Sequence, residues 1–244
     1  MITPTLEARL AMRERPPTPT VMFQRWSRLL FLHWEIDPQE VQKRLPKGLF
    51  VDHFEGRCYL GLVPFLMQKV RPRFLPAVPW LSNFLELNVR TYVHDEQGRP
   101  GVWFFSLDCN QPIAVELARR LFHLPYQHAK MSLEGSLYSC RRKTGHATAK
   151  YDYEIEGPFQ TAEPGSLEFF LLERYLLFSA RRDGGLRMGR VHHEPYQFAC
   201  IPVPTHSTLP FEWEGFHLEG TPVSSLVSPG VPVHIHPLQS TDHE

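Results

Sequence analysis

Lysine is scarce in this chain. Of 26 basic residues only Lys43, Lys47, Lys69, Lys130, Lys143 and Lys150 are lysines, and the rest are arginine. A protein that forms an imine on a lysine amine has few positions from which to do it. Cysteine is sparse too: Cys58, Cys109, Cys140 and Cys200 lie far apart with no CxxC, so neither a zinc ribbon nor a redox pair is indicated. No apolar run approaches the roughly 20 residues that span a bilayer. The first 20 residues have no apolar h-region, so a signal peptide is not expected and the thiols are expected to stay reduced in the cytoplasm. Net charge is zero, with 26 acidic against 26 basic residues, so nothing pulls the chain toward nucleic acid or an anionic membrane. A Gly-rich phosphate loop and a GxSxG elbow are both missing; Asp183-Gly184-Gly185 is only a turn.

Apolar material is plentiful, 42% of 244 residues, enough for one large core. Residues 1–20, charged and then Pro/Thr-rich, read as a loose arm. A strand is expected at 26–34. A helix follows from Asp37, an N-cap with Pro38 at the first helical position and Glu40 completing a capping box. Strand segments are expected at 49–52 and 57–67, then a Pro-rich loop at 71–79. The segment 84–92, FLELNVRTY, alternates cleanly: Leu85, Leu87, Val89 and Val93 face one way, and Glu86, Asn88, Arg90 and Tyr92 the other. A turn at 95–100 returns the chain as a partner strand at 101–109.

Beyond it, a helix is expected at 113–123 with Ile113, Leu117, Leu121 and Phe122 inward. Strands follow at 129–138 and 147–155, and a third helix at 167–179 carries Phe170, Leu171, Arg174, Tyr175 and Phe178 on neighbouring turns. Residues from 189 on read as strand and loop, and 228–244, with its Pro, His and acidic residues, as an extended tail. Many short strands with a few isolated helices predict an α+β, mainly β fold: an antiparallel β-barrel or large curved sheet, not a parallel βαβ fold.

The polar face of 84–92 is the best candidate wall of a ligand site. Asn88, Arg90 and Tyr92 are hydrogen-bonding residues that suit a small polar molecule, and Arg90 suits a carboxylate. Glu86, if buried, gains a raised pKa and acid/base capacity. The alternative is a solvated outer face with a cross-strand ion pair. Tyr126 and His128, in the link after the second helix, are placed to relay protons, or else form an ordinary turn. Arg174 either spreads along apolar surface or reaches a buried acid such as Glu86. His234 and His236 share a strand face and could chelate a metal, but spacing offers no third ligand, so no metal or cofactor is assigned.

These segments together resemble a known family. Leu32-His33-Trp34, Asp37-Pro38, Leu45-Pro46-x-Gly48-Leu49 and Asp52 are similar to the opening of the YqjF-like uncharacterised bacterial proteins (domain of unknown function 2071). So are 86–93 (ELNVRTYV), 101–108 (GVWFFSLD), Ala118-Arg119 leading into Leu124-Pro125-Tyr126, and Glu173-Arg174-Tyr175. The resemblance covers about residues 22–238 and places one domain at 21–238, an arm at 1–20 and a tail at 239–244. It implies the acetoacetate decarboxylase-like fold, a cone-like barrel with a ligand cavity. In that decarboxylase a Gly-x-Pro-Lys-Lys segment supplies the Schiff-base lysine. Here its counterpart is His123-Leu124-Pro125-Tyr126-Gln127, and neither lysine is present. The decarboxylase's pocket glutamate matches Glu86, while its pocket arginine falls at Glu35. Lys130 is close in sequence to the lysine segment, but its alternation with Ala129 and Met131 points it away from the apolar side. The resemblance therefore implies a small-molecule ligand without imine chemistry. The chain is either an enzyme using Glu86, Tyr126 and His128 on an organic acid or carbonyl compound, or a non-catalytic binder or sensor on the same barrel. Neither oligomeric state nor pathway is readable.

Overall fold

A computed structural model describes residues 2–181 and 183–241. Helix α1 (Leu6–Ala11) leads into β1 (Met22–Ile36), α2 (Pro38–Gln42), β2 (Leu49–Val51), β3 (Cys58–Pro72), β4 (Phe84–Asp95) and β5 (Pro100–Cys109). Then come α3 (Pro112–Leu121), β6 (Tyr126–Glu134), β7 (Leu137–Arg142), β8 (Ala149–Asp152), β9 (Gln160–Thr161) and α4 (Leu167–Leu172). The chain ends with β10 (Leu176–Ala180), β11 (Leu186–His192), β12 (Gln197–Cys200), α5 (Leu209–Trp213) and β13 (Ser224–Ser240).

The expected mainly-β fold is present, and its barrel closes. Strands β4, β3, β1, β13, β11, β10 and β5 follow one another, and β5 pairs back onto β4, giving a closed ring of seven strands. Every pairing in the ring is antiparallel except β10 with β5. Strands β6 to β8 extend from β5 as an outer layer.

Strand alternation separates the two larger parts of the core, and a smaller third cluster gathers Leu49, Val93, Leu176, Phe178 and Leu186. Leu29, Phe31, Tyr59, Val63, Phe65, Phe84, Tyr92, Val191 and Val233 fill the lumen, joined by Phe169 to Leu172 of α4, which plugs it. On the outer face Leu30, Leu32, Leu60, Leu62, Leu85, Leu87 and Val89 pack against Tyr138, Cys140, Ala149 and Tyr151 of the outer layer. Because β4 is covered on both sides, all its residues are buried. Its polar face therefore belongs to the barrel interior, and the solvated alternative is overturned.

The local expectations meet mixed outcomes. Asp37 caps α2, accepting from Gln39 N at 2.9 Å, but Glu40 turns to Arg44 rather than closing a capping box. The stretch 129–138 is a hairpin, β6 and β7, not one strand. In α3, Ile113, Leu117 and Leu121 face solvent, and Val115, with Ala114, Ala118 and Phe122 beside it, meets the core instead. The third helix stops at Leu172, because Glu173 leaves helical geometry with ψ 76, and the rest of the expected helix becomes β10.

Both expected loose ends are built into the fold. Arg9 grips Asp52 with two hydrogen bonds of 2.7 Å, Arg13 reaches Glu173 at 3.4 Å, and Arg190 donates to the carbonyls of Met12 and Glu14. Residues 2–20 are thus an anchored strap, not a loose arm. The presumed tail is the long strand β13, paired with β1 on one side and β11 on the other; residues 242–244 lie outside the described residues. Gly230, at φ +117, makes the β1 crossing possible, since a Cβ there would lie 1.9 Å from Trp26 O. No helix among the described residues is long and apolar enough to cross a membrane.

Candidate functional site

Strand β4 projects Glu86, Asn88, Arg90 and Tyr92 into the lumen at successive alternate positions. Glu86 and Arg90, four residues apart, have Cα atoms about 13 Å apart at the usual rise of an extended strand. Glu86 is 2% exposed. Its carboxyl accepts from Tyr126 Oη at 2.8 Å. Burial pushes its pKa up to about 8, against the opposing pull of the Tyr126 hydroxyl and the neighbouring Asn88. At neutral pH Glu86 is therefore largely a neutral acid. Burial first, and then the neighbouring Glu86, keep the Tyr126 hydroxyl well above its usual range, so it remains the donor of the pair.

Toward the other end of the stripe, Arg90 Nη2 donates to Tyr92 Oη at 3.1 Å and to Leu171 O at 3.0 Å, the carbonyl being part of α4. Tyr92 Oη donates to the same carbonyl at 2.9 Å and lies 2.7 Å from His33 Nε2. With the tyrosine proton given to Leu171, His33 donates from Nε2 and carries its lone pair on Nδ1. Burial, then the Arg90 charge, hold His33 far below the usual histidine range, so it is neutral. Gly61 on β3 makes room for this cluster: a Cβ there would stand 3.2 Å from His33 Cδ2 and 3.4 Å from Arg90 Cγ. Three buried atoms of the group have no hydrogen-bond partner: His33 Nδ1, Asn88 Oδ1 and Arg90 Nε.

Arg90 also differs from Arg174, the other buried arginine, and from the half-buried Arg142. Arg174 is paired with Asp52 at 2.8 Å, and Arg142 with Asp108 at 2.7 Å and Glu214 at 2.6 Å. Arg90 has no carboxylate within 4.0 Å among the described residues; its guanidinium is met by neutral groups, the Leu171 carbonyl, the Tyr92 hydroxyl and the rings of Phe31 and Tyr92. A buried cation without a counter-charge is costly, so this position is electrostatically open to an anion.

The expected residues thus fall into two sets. Glu86, Tyr126, Asn88, Arg90 and Tyr92 come together in the lumen. Arg174 and His128 do not join them. Arg174 Nε binds Phe170 O and its Nη1 binds Asp52, which also holds Arg9, so it fastens the strap rather than facing Glu86. His128 lies beside Glu116 of α3 at 3.5 Å, on the outer side of that strand. Sequence reasoning quoted His33 only as part of a motif. The available signal was alternation, since His33 falls in phase with Leu29 and Phe31 on β1. His234 packs against His192 outside the barrel, with ring centroids 6.0 Å apart, and His236 Nδ1 is held by Thr18. A surface cleft of about 680 Å³ lies elsewhere, among Glu116, Arg119, Arg120, His123, Arg181 and Asp183, where most charges already pair with each other.

The six lysines settle what the site lacks. All are exposed, Lys130 and Lys150 included, so no lysine amine enters the lumen. In the segment expected to correspond to the decarboxylase's lysines, Tyr126 meets Glu86.

A family model described as an uncharacterized conserved protein, DUF2071, matches residues 23–232. The chain belongs to the DUF2071 family. A relative, the uncharacterized protein YqjF of Bacillus subtilis, is 38% identical over 182 residues, covering 72% of this chain and 74% of that protein. Among solved structures, an acetoacetate decarboxylase-like enzyme from Sphingomonas wittichii superposes with a TM-score of 0.63 at 12% identity, over 93% of this chain and 95% of that one. The enduracididine biosynthesis enzyme MppR, complexed with pyruvate, gives 0.60 at 12% identity, over 92% and 91%. At such low identity these likenesses establish the fold of this DUF2071 protein as acetoacetate decarboxylase-like.

Proposed function

We propose that the barrel lumen binds a small organic acid or carbonyl compound, with its carboxylate at Arg90 and its reactive end toward Glu86. The observation that carries this reading is Arg90 itself, a lumen guanidinium without a carboxylate partner among the described residues. A ligand carboxylate would supply the missing counter-charge and accept from Nε. Asn88 lies between the two ends with an unpaired carbonyl oxygen, fitted to receive a ligand hydroxyl or amine. Glu86, protonated at neutral pH, is suited to lend a proton to a carbonyl oxygen, with the Tyr126 hydroxyl steadying the carboxylate left behind. Pyruvate bound to a protein of the same fold supports the ligand class. The chemistry proposed is acid/base chemistry without an imine.

A second reading, a non-catalytic binder or sensor, has one observation in its favour. The Glu86 carboxyl is already engaged by Tyr126, an arrangement that also suits a fixed wall. Calorimetry with pyruvate, acetoacetate and other small carboxylates on wild type, Arg90→Met and Glu86→Gln tests both readings. Arg90→Met is expected to weaken binding at least tenfold, about 1.4 kcal/mol, with no loss of thermal stability. Glu86→Gln is expected to retain binding and lose turnover if the protein is an enzyme, and to change affinity alone if it is not. Carboxylates that bind equally well to Arg90→Met would remove the assignment.

A further inference from the structure

Helix α3 carries two apolar arcs where a surface helix needs one. Val115, with Ala114, Ala118 and Phe122, meets the barrel. On another side Ile113, Leu117 and Leu121, one turn apart, stand 45, 50 and 62% exposed. The stripe continues at its N-terminal end: Gln111 Nε2 donates to Trp80 O at 2.9 Å, and Trp80 is 68% exposed. The same loop carries Phe74 and Leu75, both exposed, and it lies at the barrel end where β4 begins and β5 finishes. Single exposed apolar residues are ordinary, but a run of this extent marks a surface built to be covered.

We propose that this outer face of α3 is the seam of a twofold dimer of the chain. Two features select a second copy. The first is charge. Glu116 and Arg120 stand one turn apart beside the stripe, with opposite signs; Arg120 makes no ion pair among the described residues, while Glu116, which holds Arg119 at 3.2 Å and lies 3.5 Å from His128, is half exposed and can take a further cation. In an antiparallel helix pair about a twofold axis, the charged flanks of both copies lie on the same side of the seam. Arg120 of each copy then meets Glu116 of the other, while Ile113 meets Leu121 and Leu117 lies near the axis. A parallel pairing would put the two charged flanks on opposite sides of the seam, where Arg120 of one copy cannot reach Glu116 of the other. The second feature is extent. From their fractional exposures, the six apolar side chains present on the order of 600–700 Å², close to the roughly 800 Å² per partner of a stable interface.

Sedimentation velocity of the full chain, from low to high micromolar concentration, tests the proposal. Wild type is expected to sediment as a dimer. Leu117→Glu is expected to be a monomer with an unchanged circular dichroism spectrum and melting temperature, because Leu117 contributes its exposed half to no core. Arg120→Glu is expected to raise the dimer dissociation constant at least tenfold, and adding Glu116→Arg to restore it. In a Cys200→Ser background, Leu117→Cys is expected to oxidise to a covalent dimer. A wild-type monomer at the highest concentration, or a Leu117→Glu variant that stays dimeric, would overturn the proposal. So would a monomer that co-sediments with phosphatidylserine/phosphatidylcholine vesicles, which would assign the face to a membrane.

Discussion

Glu86 is the residue on which acid and base behaviour turns. Its pKa rises from an ordinary 4.5 to about 8 in the folded chain. The folded state therefore holds a proton that the unfolded state releases at lower pH. That stability is fully present below about pH 4.5 and is lost as pH rises through about 8, a change on the order of 5 kcal/mol. Glu86→Gln, fixed in the neutral form, is expected to remove this slope. In a pH series of melting curves the variant should match wild type near pH 5 and exceed it near pH 8; a slope that survives in the variant would place its origin elsewhere. Tyr126→Phe should act in the opposite sense on the same group. Without its hydrogen bond, which pulls the carboxyl down, the Glu86 transition should move to higher pH, readable by infrared spectroscopy of the carboxyl stretch.

At the scale of elements, the strap and α4 form one unit. Asp52 receives Arg9 from α1 and Arg174 from the segment after α4, and it is fully enclosed. Asp52→Ala leaves Arg174 buried without a counter-charge and is expected to destabilise the fold by about 3–5 kcal/mol. Arg9→Ala leaves the inner pair intact and is expected to cost less, about 1.5–3 kcal/mol; urea denaturation of both variants separates them. The strap also shows where sequence reading ended. Clean alternation in β4 and β5 disclosed the barrel wall and its polar face. By contrast, arginines at positions 9 and 13 look like solvated charge until Asp52 and Glu173 are seen behind them. In α3 the periodicity of Ile113, Leu117 and Leu121 was legible, but periodicity does not say which of two apolar arcs the barrel covers. The run 167–179 fits a helical stripe, yet Glu173 breaks it by turning its carboxylate to Tyr175 and the amide of Tyr196. Strand β13 hid behind Pro229, Pro232 and Pro237, residues that argue against an interior strand.

For the whole molecule, the distribution of lysine limits the chemistry more firmly than any single contact. All six amines are outside, so trapping with borohydride in the presence of acetoacetate or pyruvate is expected to leave the intact mass unchanged. A stable adduct at Lys130 would show that the lumen admits an amine the structure places outside. The site itself was partly legible. The family likeness and the alternation agree on Glu86, and the tyrosine in the lysine segment was visible in one line of sequence. The lumen contacts of His33, and the role of the Leu171 carbonyl, depend on strands and a helix far apart in the chain.

The odd strand number of the ring has a consequence of its own. Around any closed ring, directions can alternate throughout only if the count is even. Seven strands must therefore include a pair that runs the same way, and here it is β5 with β10. A tight turn cannot join two such neighbours; the chain has to travel the barrel's length and return before it can lay the second strand down. The residues between Cys109 and Leu176 are that journey. They include α3, the outer layer that buries the back of β4, and the α4 plug that lends Leu171 O to Arg90. The parity of the wall thus gives the fold the long excursion from which its lid, its jacket and its exposed helix are made.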